Sequence, residues 1–365
     1  MTRWAFVTFA FALACKGKEA PARDPPSHPP IVAIDAAMVV DAPRPALATP
    51  RTKHGLIVFT TSTVARAVGT EPLRLVDPDG GEPILALSTA DHLVIGPHII
   101  AGAHGVIDLR APTLAAKASK HAIEFVTPDD RLVARCSGGV GETFKVCTSD
   151  GDPQIWKDLY EEPAKGFNDI ATVAGAGREM VHCNYGQLSQ LPAFSIRIGD
   201  TRRTDYPGLV RKDTEFTYDP FYSPDGTLAA TCMSLKKDLV VTTLDGSVKP
   251  QAIQLDGEPV RCSCKFSHDN ARLACSILYL GSRSPYDVLW MWNLETKRKT
   301  LLAKQVVLDG FVWSPDDTQL AFVGVAEDVA RWVLRTTTLD GTTTRDLFSV
   351  DLKTQTIDLA GWTAP

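Results

Sequence analysis

Phe221-Tyr222-Ser223-Pro224-Asp225-Gly226-Thr227-Leu228-Ala229-Ala230-Thr231-Cys232 is the stretch whose reading decides the fold. Pro presets φ at the second position of a type I turn, Asp suits the third, and Gly accepts whatever φ follows. A tight hairpin is therefore predicted between the short apolar pair Phe221-Tyr222 and the small, apolar run Leu228 to Cys232. A third strand, Leu239-Val240-Val241-Thr242-Thr243, ends in Leu244-Asp245-Gly246, and an Asp-Gly pair between β-rich runs signals a second hairpin. Four antiparallel strands fit between positions 221 and 255.

The unit recurs. Thr127-Pro128-Asp129-Asp130, Ser223-Pro224-Asp225-Gly226, Ser267-His268-Asp269-Asn270 and Ser314-Pro315-Asp316-Asp317 each precede an apolar strand. The last three start 44 and 47 residues apart, and the first two start 96 apart. That gap places a degenerate copy near position 174, in the stretch Val173 to Val181. Asp150-Gly151, Asp245-Gly246 and Asp340-Gly341 repeat the second turn. A period in the mid-forties with four strands per period predicts an all-β β-propeller.

Trp313-Ser314-Pro315-Asp316-Asp317, followed by Leu320-Ala321-Phe322-Val323 and then Leu339-Asp340-Gly341, resembles the TolB-type, WD40-like propeller repeat. The resemblance covers roughly positions 54 to 360 and is sharpest in the last three repeats. It implies a fold and protein partners in the cell envelope, while the turns themselves say little about activity. TolB-type proteins also carry an α/β domain before the propeller, and the segment ahead of this one is too short to replace it.

Second strands of successive units are expected near 57, 94, 132, 180, 229, 273 and 320, which gives seven blades, with six as the alternative. His92-Leu93-Val94-Ile95 starts the second unit. The first unit lacks an inner strand and the last has one to spare, Gln355-Thr356-Ile357-Asp358-Leu359. The C-terminal strand is therefore expected to complete the first blade, a closure that removes exposed sheet edges. Alternation sets Val288, Trp290 and Trp292 on one face of a strand and Leu289, Met291 and Asn293 on the other, as packing between blades.

Ahead of the repeats lie two other segments. Trp4 to Ala14 is apolar behind Arg3, and as a helix it reaches roughly 16 Å, about half a bilayer core. Residues 1–15 read as an export signal, and the small residues before Cys15 look like a bacterial lipoprotein signal in which Cys15 is lipidated. Residues 16–53 hold eight prolines and many alanines, the composition of an extended tether. The propeller domain is expected over 54–365. A formal charge of −5 and the lack of a basic run argue against a nucleic-acid partner. The membrane is reached through the lipid anchor alone.

With Cys15 lipidated, seven cysteines remain. Cys136, Cys183, Cys232 and Cys275 hold nearly the same place in successive second strands, too far apart to bond one another. Cys136 and Cys147 bracket one hairpin, and Cys275 returns beside the strand of Cys262 and Cys264, so these five are the disulfide candidates. Cys262, Cys264, His268 and Cys275 could in principle surround zinc, but the spacing lacks Cys-x2-Cys and an oxidising compartment favours a disulfide. No metal and no cofactor is expected.

Catalytic motifs are sparse: there is neither a Gly-x-Ser-x-Gly elbow nor a His-Glu-x-x-His. His92, His98 and His104 stand six apart in a turn-rich region and read as surface histidines. With strands a to d running outward from the axis, the a–b and c–d turns share one face and the longer b–c and d–a loops share the other. Binding residues are expected on the loop-rich face: Tyr185, Gln187, Arg202, Arg203, Tyr206, Arg211, Tyr279, Arg283 and Tyr286. The expected function is an exported periplasmic or outer-membrane lipoprotein that binds or scaffolds protein without catalysis. The alternative is a propeller-type lactonase or glycan hydrolase with its site at the central channel.

Overall fold

The computed structural model describes residues 48–50, 52–63, 71–89, 93–102, 105–137, 143–163, 168–173, 180–185, 193–197, 203–206, 221–233, 237–244, 247–282, 286–326, 328 and 330–365. The chain divides after Pro45, and the described residues all belong to the second unit, Ala46–Pro365. Every regular element among them is a β-strand, and among them no helix is long and apolar enough to cross a membrane.

Strands β1 (Ile57–Thr63), β2 (Glu71–Val76) and β3 (Ile84–Thr89) open the first sheet. The second holds β4 (Val94–Ile95), β5 (Ile99–Ala101), β6 (Gly105–Asp108) and β7 (Ala116–Ala118), and the third holds β8 (Ile123–Val126), β9 (Leu132–Ser137), β10 (Thr143–Ser149) and β11 (Lys157–Pro163). The fourth comprises β12 (Asn168–Val173), β13 (Met180–Tyr185), β14 (Ala193–Arg197) and β15 (Arg203–Tyr206). In the fifth stand β16 (Phe221–Tyr222), β17 (Leu228–Met233), β18 (Asp238–Thr243) and β19 (Gln251–Gln254). A seven-stranded sheet follows: β20 (Pro259–Phe266), β21 (Arg272–Tyr279), β22 (Asp287–Asn293), β23 (Lys299–Trp313), β24 (Gln319–Val325), β25 (Arg331–Thr338) and β26 (Thr344–Asp351). Finally β27 (Gln355–Trp362) returns to pair antiparallel with β1, from Ile57 opposite Trp362 to Thr63 opposite Gln355. The tail thus supplies the inner strand that the first sheet lacks.

The long β23 explains the seven-stranded sheet. It pairs with β22 through Lys299 to Val306 and with β24 chiefly through Phe311 to Trp313. Gln305 and Asp309, at φ 58° and 61°, mark the irregularity between the two halves.

Second strands lie where the repeat places them, with one correction. In the second sheet, position 94 belongs to the first strand, and the second is Ile99–Ala101. This unit is compressed: β4 has two residues, and Gly96-Pro97-His98 closes the turn with Gly96 NH donating to Ile99 O at 2.8 Å. The degenerate turn expected near 174 falls at residues outside those described, between the paired strands β12 and β13.

Side-chain alternation buries both faces of these sheets. On β24, Leu320 and Phe322 join a cluster with Leu289, Met291 and Phe311, whereas Ala321 and Val323 join another with Ile57, Phe59 and Trp362. On β1, Ile57 and Phe59 face that second cluster while Val58 faces Leu73, Ile100 and Ile107. The first sheet is therefore gripped between the last sheet and the second. Trp292 packs with Cys232, Leu239 and Phe266 on one side of β22, and Leu289 and Met291 pack on the other, so this strand works as a spacer between sheets. Burying each such large apolar side chain stabilises the fold by about 1.5–3 kcal/mol.

Residues at the end of the expected tether are held: Ala48 bridges Thr113, and Thr49 Oγ1 donates to Ala111 O at 2.7 Å.

Candidate functional site

The inner a–b turns build the candidate site. In each of the four, the hydroxyl of the first residue donates to the carboxylate of the third: Thr127 to Asp129, Ser223 to Asp225, Ser267 to Asp269, Ser314 to Asp316. That hydroxyl also accepts a main-chain NH from the following strand, as from Leu228 at 2.8 Å and Gln319 at 2.9 Å. The fourth residue always has positive φ: 63° at Asp130, 67° at Gly226, 59° at Asn270 and 55° at Asp317. Asp, Asn and Gly are the residues that tolerate that conformation, which accounts for the restricted fourth position.

Two of these fourth residues tie neighbouring turns together. Asp130 receives His98 NH at 2.9 Å and stands 2.8 Å from His98 Nδ1. Asp317 does the same for His268, at 2.9 and 2.7 Å, and also receives Asp269 NH at 2.9 Å. Burial opposes ionisation of Asp317, but the His268 side chain and the two NH groups outweigh it and hold the carboxyl below its usual range.

Inside this ring of turns the inner strands enclose a cavity of about 760 Å³, within the size range of ligand pockets. Its wall draws on β27, β4, β8, β16 and β20, and the turn prolines Pro97, Pro128, Pro224 and Pro315 line it. Phe125, Phe221, Tyr222, Phe266 and Trp362 supply aromatic surface. Lys265 is the one Lys or Arg among the described lining residues, and no Asp or Glu is among them. On β20, Cys264 and Phe266 face the cluster with Trp292, and Lys265 points the other way. Its ammonium donates to Phe311 O at 2.7 Å and Asp309 O at 3.4 Å, and lies 5.1 Å from the centre of the Phe311 ring. Burial lowers the pKa of Lys265, against the opposing pull of the Asp309 charge.

Of the nine loop residues read from the sequence, Gln187, Arg202, Arg211 and Arg283 lie outside the described residues. Tyr185 ends β13, and Arg203 and Tyr206 bound β15. Tyr279 packs on the Trp292 cluster with its hydroxyl buried toward Asp256 and the Trp290 indole, in neither case at hydrogen-bond geometry. Burial, then the Asp256 charge, pushes its pKa up to about 12. Tyr286 packs edge-on against Trp332, with centroids 5.8 Å apart. Neither tyrosine lines the axial cavity. Beside them Asp287, fully buried, receives Arg261 Nε and Nη2 at 2.9 Å, and burial pushes its carboxyl up against the pull of Arg261. Sequence reasoning passed over this pair, as it did Lys265, because single charged residues in a strand carry no motif.

Three disulfides are present among the described residues. Cys136 bonds Cys147 and Cys264 bonds Cys275, each across one hairpin, the latter between directly opposed residues. Cys232 bonds Cys262, joining β17 of one sheet to β20 of the next. Cys15 lies outside the described residues. Two groups of side chains could hold a metal by proximity, His121 with Cys136 and Cys147, and Cys232 with Cys262 and Cys264; both consist largely of bonded cysteines.

No protein-family model and no curated protein sequence matches the chain. Solved structures do. TolB from Acinetobacter baumannii superposes with a TM-score of 0.53 at 14% identity over 87% of this chain and 68% of that one. A candidate 6-phosphogluconolactonase from Bacteroides uniformis gives 0.53 at 13%, covering 83% of this chain and 99% of that one. An oligogalacturonate lyase in complex with manganese gives 0.50 at 15%, covering 81% and 85%. At such identities the likeness is one of fold, and the fold is a TolB-like β-propeller.

Proposed function

We propose that this chain is an exported, lipid-anchored propeller of seven blades that binds a protein partner in the bacterial cell envelope without catalysis. Counting β23 as the outer strand of one blade and the inner strand of the next turns the seven-stranded sheet into two blades. Residues 1–15 serve as the signal, Cys15 as the anchor and the chain from residue 16 to about 45 as the tether. The composition of those segments supports this reading.

The observation that carries the binding role is the axial wall, where turn prolines and the rings of Phe221, Tyr222, Phe266 and Trp362 converge on one cavity. Rigid aromatic and proline surface costs little conformational entropy to bury, and Tyr and Trp, here Tyr222 and Trp362, are enriched at binding hot spots. The loop-rich face expected from the sequence is proposed as a second surface for the partner.

The test is site-specific photo-crosslinking in intact cells, with the reactive group at Phe221 or Tyr222 and a control at exposed Val248. One envelope protein should be captured from both cavity positions and not from Val248. Absence of such a product, together with turnover of a lactone or an oligogalacturonate by the purified protein, would overturn the proposal in favour of an enzyme.

A further inference from the structure

The axial cavity is mostly apolar, and among its described lining residues Lys265 is the one Lys or Arg. Lys265 has three ammonium donors, and two main-chain carbonyls, of Phe311 and Asp309, take hydrogen bonds from it. The Asp309 carboxylate, whose charge acts on it, accepts a hydrogen bond from the Ser263 hydroxyl. Lys265 is thus a half-buried cation whose hydrogen bonds go to neutral carbonyls. A charge in that situation is stabilised by an arriving anion more strongly than the same charge at an open surface.

Other polar side chains of the wall are committed. Ser223 Oγ serves Asp225 and the NH of Leu228, and His268 Nδ1 serves Asp317. A polypeptide threaded through such a wall would bury peptide groups on both sides of an internal Asp or Glu, with few partners for them. A chain end buries them on one side only.

We infer that the cavity accepts the apolar C-terminal end of a partner polypeptide and that Lys265 receives its terminal carboxylate. This rests on the cavity being the partner site proposed above. Lys265 is then the residue that sets specificity, and the rings of Phe221, Phe266 and Trp362 bury the last apolar side chains.

The probe is a mixture of fluorescein-labelled hexapeptides varied among Ala, Val, Leu and Phe, made with a free C-terminal carboxylate, with a C-terminal amide, and with one internal Asp and an amide end. Binding is read by fluorescence anisotropy against the full mature chain and its Lys265→Met and Lys265→Arg variants. The free acids should bind wild type at least tenfold more tightly than the amides. Lys265→Met should abolish that ratio, and Lys265→Arg should restore much of it. Because the ratio is also measured on wild type alone, a variant that fails to fold leaves the test standing. Equal binding of acid and amide overturns the inference and leaves the cavity reading intact. Internal-Asp peptides that bind as well as the free acids overturn the chain-end assignment. No binding by any form overturns both.

Discussion

Asp317 Oδ1 accepts the main-chain NH of His268 at 2.9 Å and stands 2.7 Å from its ring Nδ1, across 49 residues of sequence. Asp130 holds His98 in the same way across 32 residues. The fourth residue of one turn thus locks the turn of the preceding sheet, and the local motif is also the connection between repeats. Asp317→Ala removes an acceptor from three donors and places Ala at φ 55°, so a loss of about 1–3 kcal/mol is expected in urea unfolding. Asp317→Gly relieves the backbone but not the donors, and should lose nearly as much. Recovery of full stability in the glycine variant would assign the cost to backbone strain instead.

The turn carboxylates also set the acid limit of the fold. In Asp225, Asp316 and Asp317 burial opposes ionisation, but hydroxyl, NH or imidazole donors prevail and depress the pKa; exposed Asp340 is lowered to about 2 by Thr338 and Thr342. A carboxyl whose folded pKa lies below its ordinary 3.8 contributes stability that is present above 3.8 and lost as pH falls through the folded value. Asp287, raised by burial, works in the opposite sense and offsets part of this. The urea midpoint should hold from neutrality to about pH 5 and drop steeply between about pH 4 and 2. The gap between wild type and Asp317→Asn should close over that same interval. A gap that persists at pH 2 contradicts the assignment.

How much could be read beforehand follows from the range of each interaction. The hairpin at Ser223-Pro224-Asp225-Gly226 was legible because its chemistry lies within five residues, and its repetition announced the fold. The return of Gln355 to Leu359 to the first sheet was legible because an inner strand was missing there. Position 94 misled because Gly96-Pro97-His98 replaces the motif and shortens the unit. The linkage from Asp317 to His268 was hidden, since Asp at that position is also what positive φ selects, and its second role depends on how one sheet sits against the next. Lys265 was hidden for a similar reason: an alternating Cys-Lys-Phe run looks like any half-exposed strand until the lysine is found bonded to Phe311 O of the next inner strand.

Covalent cross-linking between sheets has a measurable consequence. Cys232 and Cys262, 30 residues apart, close a loop between two sheets, whereas Cys136 and Cys147, 11 apart, close one hairpin. In the chain-entropy account the longer loop stabilises by about 3–4 kcal/mol and the shorter by slightly less than 3. Cys232→Ser with Cys262→Ser should therefore lower stability more than Cys136→Ser with Cys147→Ser. The double variant should also raise hydrogen exchange in β20, which then has only non-covalent contacts to β17. Equal losses in the two double variants would show that sheet packing alone fixes that boundary.

Closure by the C-terminal strand is the last relationship that can be cut cleanly. β27 pairs with β1 along its length, Thr363 Oγ1 receives Leu56 NH at 2.9 Å, Trp362 Nε1 donates to His54 O at 2.8 Å, and Trp362 also lines the axial cavity. Removing residues 355–365 leaves β1 paired with β2 alone and turns the apolar run Ile57-Val58-Phe59 into an open sheet edge. Such edges pair with other chains. The truncated protein should run as oligomers on size exclusion and lose exchange protection first in β1, spreading to the clusters on both its faces. Gly55→Ala is the subtler version: Gly55 has φ 75°, and an added Cβ would collide with the main-chain O of Thr363. It should loosen the same seam by a few kcal/mol without deleting a strand. A monomeric truncation with β1 still protected would show that the other sheets close the ring without it.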